Sequence, residues 1–407
     1  MGSRQENLIF SQYLKQPTLF QDKDTLTANF IPSKIKHREQ EIQQLSVTLA
    51  PALKGYTINN IFVYGTCGTG KTVCCKTVLQ QLQDAAAAND KEIQTLYINC
   101  KMKRVADTEY RLFAQLIRLL GGWVPDTGLP TDVLYRRFFE MVDSTNKPLI
   151  IILDEIDTLI NKIGDEFLYN LSRINIELKN TRITIIGITN NASFRDSLDQ
   201  RVKSSLGEEE ILFKPYNATQ LHDILAERTL SGFGEGVVLD EAVGKCAALA
   251  AQEHGDARRA LDLLRVAGEI AERMGDVNVT ETHVDLAEEK INLERIVELI
   301  KSQPLHSQLV LHVIITQTEK QQDAQWTDRR ILSGDIFHHY NTICTATNIK
   351  PLTQRRVSDL VAELDMLGVI ATRVISKGRY GRTREISLSL SGPVREKTRK
   401  ILVTKFG

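Results

Sequence analysis

The 407-residue sequence lacks the features of membrane, secreted and disulfide-stabilised proteins. No apolar run approaches the roughly 20 residues that a helix needs to cross a bilayer, and the first residues show no secretion signal. The six cysteines include no pair with the C-x-x-C spacing of zinc and redox sites, so we expect free thiols. These absences predict a protein of the cell interior with no membrane partner.

An excess of charge of one sign is also missing. The chain has 51 lysines and arginines and 51 aspartates and glutamates, for a formal net charge of zero. A uniformly basic surface is therefore excluded, although a local basic region is not. The length exceeds that of one ordinary core, so we expect two or three domains.

Apolar runs typical of strands alternate with helical patterns up to Pro215. This alternation predicts a parallel sheet with helices on both faces. Residues 217–290 then show only helical patterns, and further helices follow from about residue 293. The segment 369–390 has two strand-like ends around a basic, glycine-containing tip. The runs that we predict as strands of the parallel sheet are 61–64, 95–100, 148–157 and 182–191.

A glycine-rich segment after the first apolar run fits the pattern G-x-x-x-x-G-K-[ST]. Its glycines let backbone N–H groups converge on a phosphate, and the following helix adds the positive end of its dipole. Lys71 is predicted to reach the β- and γ-phosphates of ATP, and Thr72 to ligate Mg²⁺. The nucleotide-binding candidates of this segment are Gly65, Thr66, Cys67, Gly68, Thr69, Gly70, Lys71, Thr72 and Val73.

Polar residues end two later strands of the predicted sheet. Asp154 and Glu155 follow a buried run, and the carboxyl ends of parallel strands face the ligand crevice. We predict that Asp154 holds the hydrated Mg²⁺ and that Glu155 polarises the attacking water, which favours ATP hydrolysis. Asn190 ends the next strand, where its amide would orient that water; an ordinary polar strand end is the alternative.

Arg258 opens a helix of the helical region, where it would reach the phosphates and link the domain angle to the bound nucleotide. A surface arginine is the alternative. Tyr216 is a further nucleotide-binding candidate.

Together these motifs resemble those of AAA+ ATPases. Residues 65–72 resemble Walker A, 153–155 Walker B, Asn190 sensor 1 and 255–258 sensor 2. "LDQRVKSSLGEEEILFKPYNATQLHDIL" (198–225) and "EHGDARRALDLLRVAGEIAE" (253–272) are similar to the archaeal origin-recognition initiator family. That family is related to the largest subunit of the eukaryotic origin recognition complex and to its helicase-loading partner. The resemblance covers about residues 30–395.

The resemblance implies an α/β fold class: an AAA+ parallel αβα P-loop core (1–215), a small all-α lid (216–292) and a C-terminal winged helix (293–407). It implies ATP and ADP as ligands, slow regulatory hydrolysis, and a cytoplasmic, nucleoid-associated location. Its implied partners are double-stranded origin DNA, an MCM-type replicative helicase and other initiator copies. Arg201 is the candidate that acts in trans on a neighbour's ATP; a structural arginine is the alternative. The segment 110–131 is similar to a DNA-contacting insertion, although its GGWVP loop is equally compatible with core packing.

The positive charge of the chain is concentrated at its C-terminal end. Residues 370–407 hold ten lysines and arginines against two glutamates, a net charge of +8. Such an asymmetry is typical of a DNA contact, and a helix-turn-helix places the N-terminal end of its second helix in the major groove. The DNA-binding candidates are Gln354, Arg355, Arg356, Ser358, Lys377, Arg379, Tyr380, Arg382 and Arg384.

Two other kinds of ATPase remain as alternatives. A clamp loader would end in a helical collar rather than a basic winged helix. A transcriptional or signalling regulator would usually carry sensor repeats beyond the winged helix. A winged helix that contacts only proteins is the alternative to DNA binding.

Overall fold

The computed structural model describes residues 18–28, 30–102, 106–125, 128–191, 193–206, 208–323, 330–376 and 382–406. The chain divides into two compact units, and the boundary falls between Asp285 and Leu286. Within the described ranges, no helix is long and apolar enough to cross a membrane.

The first unit is built on a parallel five-stranded sheet in the order β2-β3-β4-β1-β5. Since all strands run the same way, their carboxyl ends meet at one edge, where β4 lies between β3 and β1. The strands are β1 (Asn60–Gly65), β2 (Gln94–Asn99), β3 (Leu149–Asp154), β4 (Ile183–Thr189) and β5 (Glu208–Phe213).

Helices cover both faces of this sheet, as the alternation predicted. Leu149 and Ile151 pack with α3 to α6, whereas Ile150 and Ile152 pack with α1 and α2. A strand buried on both faces explains the uninterrupted apolar run. The helices before the lid are α1 (Glu39–Leu49), α2 (Lys71–Ala87), α3 (Glu109–Leu119), α4 (Thr131–Thr145), α5 (Ile156–Ile163), α6 (Glu166–Glu177), α7 (Phe194–Ser197) and α8 (Gln200–Leu206).

A small all-helical lid follows β5. It consists of α9 (Ala218–Gly232), α10 (Asp240–Gln252) and α11 (Ala257–Met274), and α10 packs against both of the others. Asn217 caps α9 with a capping box, and Asp256 caps α11 through the backbone N–H groups of Arg258 and Arg259. Helix α12 (Glu281–Ser302) begins in the first unit and ends in the second.

The second unit has helices around a three-stranded antiparallel sheet in the order β6-β8-β7. Its apolar core gathers side chains from all of its elements, including the fully buried Tyr340. This is the predicted winged-helix arrangement. Its elements are α13 (Leu305–Asp323), β6 (Ile331–Leu332), α14 (Ser333–Ala346), α15 (Gln354–Met366), β7 (Ile370–Ser376), β8 (Arg382–Leu388) and α16 (Gly392–Phe406).

Several elements differ from the sequence prediction. Strand β5 was not predicted, because three consecutive glutamates (208–210) mask its alternation and because it pairs only with β1. The break expected near residue 290 is absent, since α12 is continuous through Ser302. Helix α16 was also missed, and it carries five of the ten basic residues counted at 370–407. The apolar spacing of α15 extends in the sequence to Leu367, which is nevertheless 39% exposed because the helix ends one residue earlier.

Helix α15 offers a direct test of the winged-helix core. Leu364 is 1% exposed, whereas Met366, two residues later, is 86% exposed. We expect Leu364→Ala to lower the free energy of unfolding of this unit by about 2–5 kcal/mol, because it leaves a cavity in the core. Met366→Ala, the matched control, should change it by less than about 0.5 kcal/mol. Chemical denaturation of both variants measures the difference, and equal effects would contradict the described packing.

Candidate functional site

A cavity of about 430 Å³ opens at the carboxyl edge of the parallel sheet, between the glycine-rich loop and the lid. Its volume falls in the range of roughly 300–1,000 Å³ that ligand pockets occupy. Cys67, Gly68, Thr69, Gly70, Lys71, Thr72 and Val73 all line it, as do Asp154, Glu155, Asn190, Tyr216 and Arg258. The cavity therefore brings together candidates that lie nearly 200 residues apart in sequence. Gly65 and Thr66 lie behind this lining and contribute backbone carbonyls.

Lys71 is the buried cation of the site and is 5% exposed. Its Nζ donates to the carbonyls of Gly65 (2.9 Å) and Thr66 (2.7 Å) and to Asn190 Oδ1 (2.8 Å). Burial lowers the pKa of the Lys71 ammonium, while Asp154 is among the groups that oppose this shift. The loop around it also depends on Thr69, which is fully buried and donates its hydroxyl to the Thr66 carbonyl at 2.9 Å.

Asn190 lies at the end of β4, where the sequence placed it. Because a lysine ammonium has only donors, the Asn190 atom that faces it must be the oxygen. The amide NH₂ is therefore directed away from Lys71. This orientation leaves a donor for the water-positioning role that we predicted for Asn190.

Asp154 and Thr72 form the candidate Mg²⁺ site. The Thr72 hydroxyl donates to Asp154 Oδ2 at 2.9 Å, and Tyr97 OH donates to the same oxygen at 2.8 Å. Burial and the Asp154 carboxylate raise the pKa of Tyr97, so the phenol keeps its proton. The described residues contain no group of three or more His, Cys, Asp or Glu that would enclose a metal ion. One hydroxyl and one carboxylate fit Mg²⁺, which takes few protein ligands and completes its shell with phosphates and water.

Glu155 follows β3 with a left-handed backbone, φ 55° and ψ 47°. This conformation is unfavourable for a non-glycine residue, and such strain is concentrated at functional sites. Its carboxylate faces the cavity and pairs with the exposed Lys101 at 3.4 Å. An unfavourable backbone therefore directs this acid into the cavity.

Arg38 connects the loop with the start of the lid, a role that the sequence analysis missed. It is 3% exposed and donates to the carbonyls of Thr69 and Lys214. Its guanidinium lies 3.9 Å from the centre of the Tyr216 ring. Burial raises the pKa of Tyr216 to about 12. The sequence signal for Arg38 is its position in "IPSKIKHREQEI" (31–42), which resembles the stretch that packs around the adenine in AAA+ ATPases.

The first turn of α11 contacts the glycine-rich loop. The Ala257 N–H donates to the Gly68 carbonyl at 3.2 Å, and Arg258 Nη1 lies 3.8 Å from Cys67 Sγ. Gly68 has φ +68°, and a Cβ there would lie 1.6 Å from Asp256 Oδ1, so only glycine fits. The predicted approach of Arg258 to the loop thus has a structural basis.

Two candidates of the first unit lie outside the cavity. Arg201 is in α8, where its side chain is 84% exposed and pairs with Asp199 at 3.2 Å. The GGWVP loop leaves Trp123 74% exposed, whereas Val124 is 3% exposed and belongs to the core, so the core-packing alternative holds for only part of the loop. The Arg118 guanidinium donates to the Val124 carbonyl at 3.2 Å and supports the loop.

In the second unit, the candidates on α15 are at the surface. Gln354, Arg355 and Arg356 are exposed at its N-terminal end, and Ser358 is half-buried. Arg384 of β8 donates to the Ser358 carbonyl at 3.4 Å, which links the hairpin to this helix. Lys377, Arg379 and Tyr380 lie outside the described residues, and of Arg382 only its place in β8 is described.

Comparisons with known proteins agree with this architecture. Three family models match: an AAA domain over residues 56–198, the Cdc6 AAA+ ATPase-type lid domain over 222–289, and the CDC6 C-terminal winged helix domain over 298–393. The ORC1-type DNA replication protein of Thermococcus onnurineus is 47% identical, over 94% of this chain and 91% of that protein. ORC1-type DNA replication protein 1 of Methanosarcina acetivorans is 45% identical, over 98% and 94%. The structure of the Aeropyrum pernix ORC1 protein in complex with DNA matches with a TM-score of 0.77 at 40% identity, over 95% of this chain and 98% of that chain.

The fold, the cavity and these matches define an AAA+ ATPase with a helical lid and a winged-helix domain. More narrowly, the chain belongs to the family of ORC1-type DNA replication proteins. The predicted family and fold class are confirmed. The domain boundaries after residues 215 and 292 stay predictions, since the matched spans leave 199–221 and 290–297 unassigned.

Replacing Lys71 tests the role of the loop. We expect Lys71→Ala to abolish detectable binding of labelled ATP, because it removes the cation that would meet the phosphates and the donors that hold Gly65, Thr66 and Asn190 in place. Lys54→Ala, at an exposed position outside the cavity, is the control and should bind as the unmodified chain does. Undiminished binding by Lys71→Ala would contradict the assignment.

Proposed function

We propose that this chain is an ATP-controlled initiator of DNA replication that binds origin DNA and recruits or loads an MCM-type replicative helicase. The observation that carries the proposal is the cavity, in which a phosphate-binding loop and a lid arginine meet, in a chain that also has a winged helix. Its relatives are DNA replication proteins, and one relative has been solved in complex with DNA. The proposed location is the cytoplasm, at the nucleoid.

Hydrolysis of ATP is assigned to the residues at the carboxyl ends of β3 and β4. The loop amides and Lys71 would hold the phosphates, and Thr72 and Asp154 would hold Mg²⁺, which would supply positive charge beside the transferred group. Glu155 accepts a proton from the attacking water, and the Asn190 amide orients that water. Lys101 is 72% exposed in its ion pair with Glu155, and so exposed a pair contributes little energy to hold the carboxylate away from the water.

Removing the charge of Glu155 separates binding from hydrolysis. We expect Glu155→Gln to bind ATP with unchanged affinity but to lose hydrolysis by roughly 100-fold or more, because the amide cannot take the proton. Release of labelled phosphate measures this. Glu177→Gln, at an exposed site outside the cavity, is the control and should hydrolyse ATP normally. Normal turnover by Glu155→Gln would exclude it as the base.

The lid is the part that responds to the nucleotide in this proposal. Arg258 stands beside Cys67, and Ala257 is hydrogen-bonded to Gly68, so a phosphate in the loop meets the first turn of α11 directly. A γ-phosphate that binds Arg258 better in one lid position than in another shifts the balance between those positions. This is how ATP binding and slow hydrolysis would act as a switch. Arg201, exposed on α8, is proposed to reach the ATP of another copy.

DNA binding is assigned to the winged helix and to the insertion of the first unit. The exposed residues at the start of α15 are proposed to enter the major groove, and the basic residues between β7 and β8 to contact the phosphates or the minor groove. Trp123, exposed on its loop between α3 and α4, offers a planar surface to the same ligand. Sequencing of the DNA bound in cells tests the function: a few sharp sites near replication start points support it, and many promoter sites would favour a transcription regulator.

The hairpin and α16 each carry about half of the C-terminal positive charge, so they can be compared. We expect the double variant Arg379→Ala and Arg382→Ala to weaken DNA binding and to reduce the slope of log affinity against log salt by about 2, one for each lost phosphate contact. Lys397→Ala with Lys400→Ala removes the same charge from exposed positions on α16. This control should leave the slope unchanged, and the opposite pattern would assign the DNA contact to α16.

A further inference from the structure

A tyrosine that none of the sequence motifs includes lies against the candidate Mg²⁺ carboxylate. Tyr97 belongs to β2, the strand beside β3, and lines the cavity. Its hydroxyl donates to Asp154 Oδ2 at 2.8 Å, the oxygen that also accepts the Thr72 hydroxyl at 2.9 Å. Two donors from different elements therefore meet on one carboxylate oxygen.

The two donors use the full hydrogen-bonding capacity of Asp154 Oδ2. A carboxylate oxygen has two lone pairs, so Tyr97 and Thr72 together fill Oδ2. The second oxygen, Oδ1, is then the one presented to a metal ion or to a metal-bound water. Without the phenol, one donor would remain, and the carboxylate could turn about its Cβ–Cγ bond.

We propose that Tyr97 is a positioning residue that holds Asp154 in its metal-binding orientation and thereby sets the Mg²⁺ affinity of the nucleotide site. The inference rests on the proposed function of the cavity as an ATP and Mg²⁺ site. Residues that orient metal ligands typically contribute 10–100-fold to metal affinity. In this proposal Tyr97 acts through Asp154, to which its hydroxyl donates.

The surroundings of the ring support a fixed position. Leu96 and Ile98 on either side of Tyr97 are buried in the core on one face of the sheet, so strand alternation directs Tyr97 to the other face, towards α2. Lys76 places its ammonium 3.9 Å from the centre of the Tyr97 ring. Lys76 follows Thr72 by one helical turn, so one face of α2 supplies both the hydroxyl on Asp154 and the cation on the ring. A cation on the ring also makes the phenol a stronger donor.

Tyr97→Phe removes only the hydroxyl and keeps the ring. The matched control is Tyr135→Phe, which deletes a phenol that donates to the Asn170 carbonyl at 3.5 Å outside the cavity. Binding of labelled ATP to the full chain is measured in EDTA and across a series of Mg²⁺ concentrations, and thermal unfolding of each variant checks the fold. The readout is binding and does not depend on hydrolysis.

We expect Tyr97→Phe to need about 10–100-fold more Mg²⁺ for half-maximal enhancement of ATP binding, with unchanged affinity in EDTA. Tyr135→Phe should follow the unmodified chain. A Mg²⁺ curve for Tyr97→Phe that coincides with the control would overturn the inference, and so would an equal loss with and without Mg²⁺, which indicates a general packing role. If the unmodified chain binds no ATP at all, the proposed function of the cavity is wrong. That outcome differs from one in which the unmodified chain binds ATP but Tyr97→Phe shows no change in its need for Mg²⁺, which contradicts only the inference on Tyr97.

Discussion

One buried ammonium organises the nucleotide site. Taking the Lys71 charge out of water costs several kcal/mol unless oxygens surround it. The chain meets this requirement with two carbonyls of the loop itself and the Asn190 side chain. The loop is therefore folded around its own cation, and the ends of β1 and β4 are joined through it. In the proposed function, a phosphate oxygen that approaches Nζ would compete with these oxygens, so nucleotide binding would act directly on the loop conformation and on Asn190.

The lid is tied to the same loop from two directions. Arg38 holds the Thr69 carbonyl and the Lys214 carbonyl, which precedes the lid. On the other side, Ala257 donates to Gly68, and the Asp256 carboxylate occupies the space that a side chain at position 68 would need. Because these contacts reach backbone atoms of the loop, a rearrangement of residues 68 and 69 displaces lid contacts without any long chain of intermediates.

The parts of the site that the sequence could predict are those encoded locally. The glycine-rich loop and the acids Asp154 and Glu155 come directly after apolar runs in the sequence, so their position at strand ends was predictable. The roles of Tyr97 and Arg38 were not predictable from the sequence. The role of Tyr97 depends on β2 being the neighbour of β3, and that of Arg38 on a contact with Lys214, which lies 176 residues later in the chain. Strand β5 was missed for a related reason: an edge strand needs only one apolar face, and its glutamates resemble a surface loop.

The positive charge of residues 370–407 is divided between α16 and the hairpin of β7 and β8. On α16, Lys400 pairs with Glu396, Arg399 pairs with Glu319 of α13, and Lys405 donates to Gln308. Exposed ion pairs contribute at most about 1 kcal/mol, so these pairs alone would not keep the residues from DNA. Packing is the stronger constraint: α16 buries Val394, Thr398 and Leu402 against the core of the second unit, which fixes the face it can present. Arg384 instead belongs to the hairpin and joins the backbone of α15. The proposed DNA contact therefore uses α15 and the hairpin together, and the net charge of +8 overstates the charge that this contact would use.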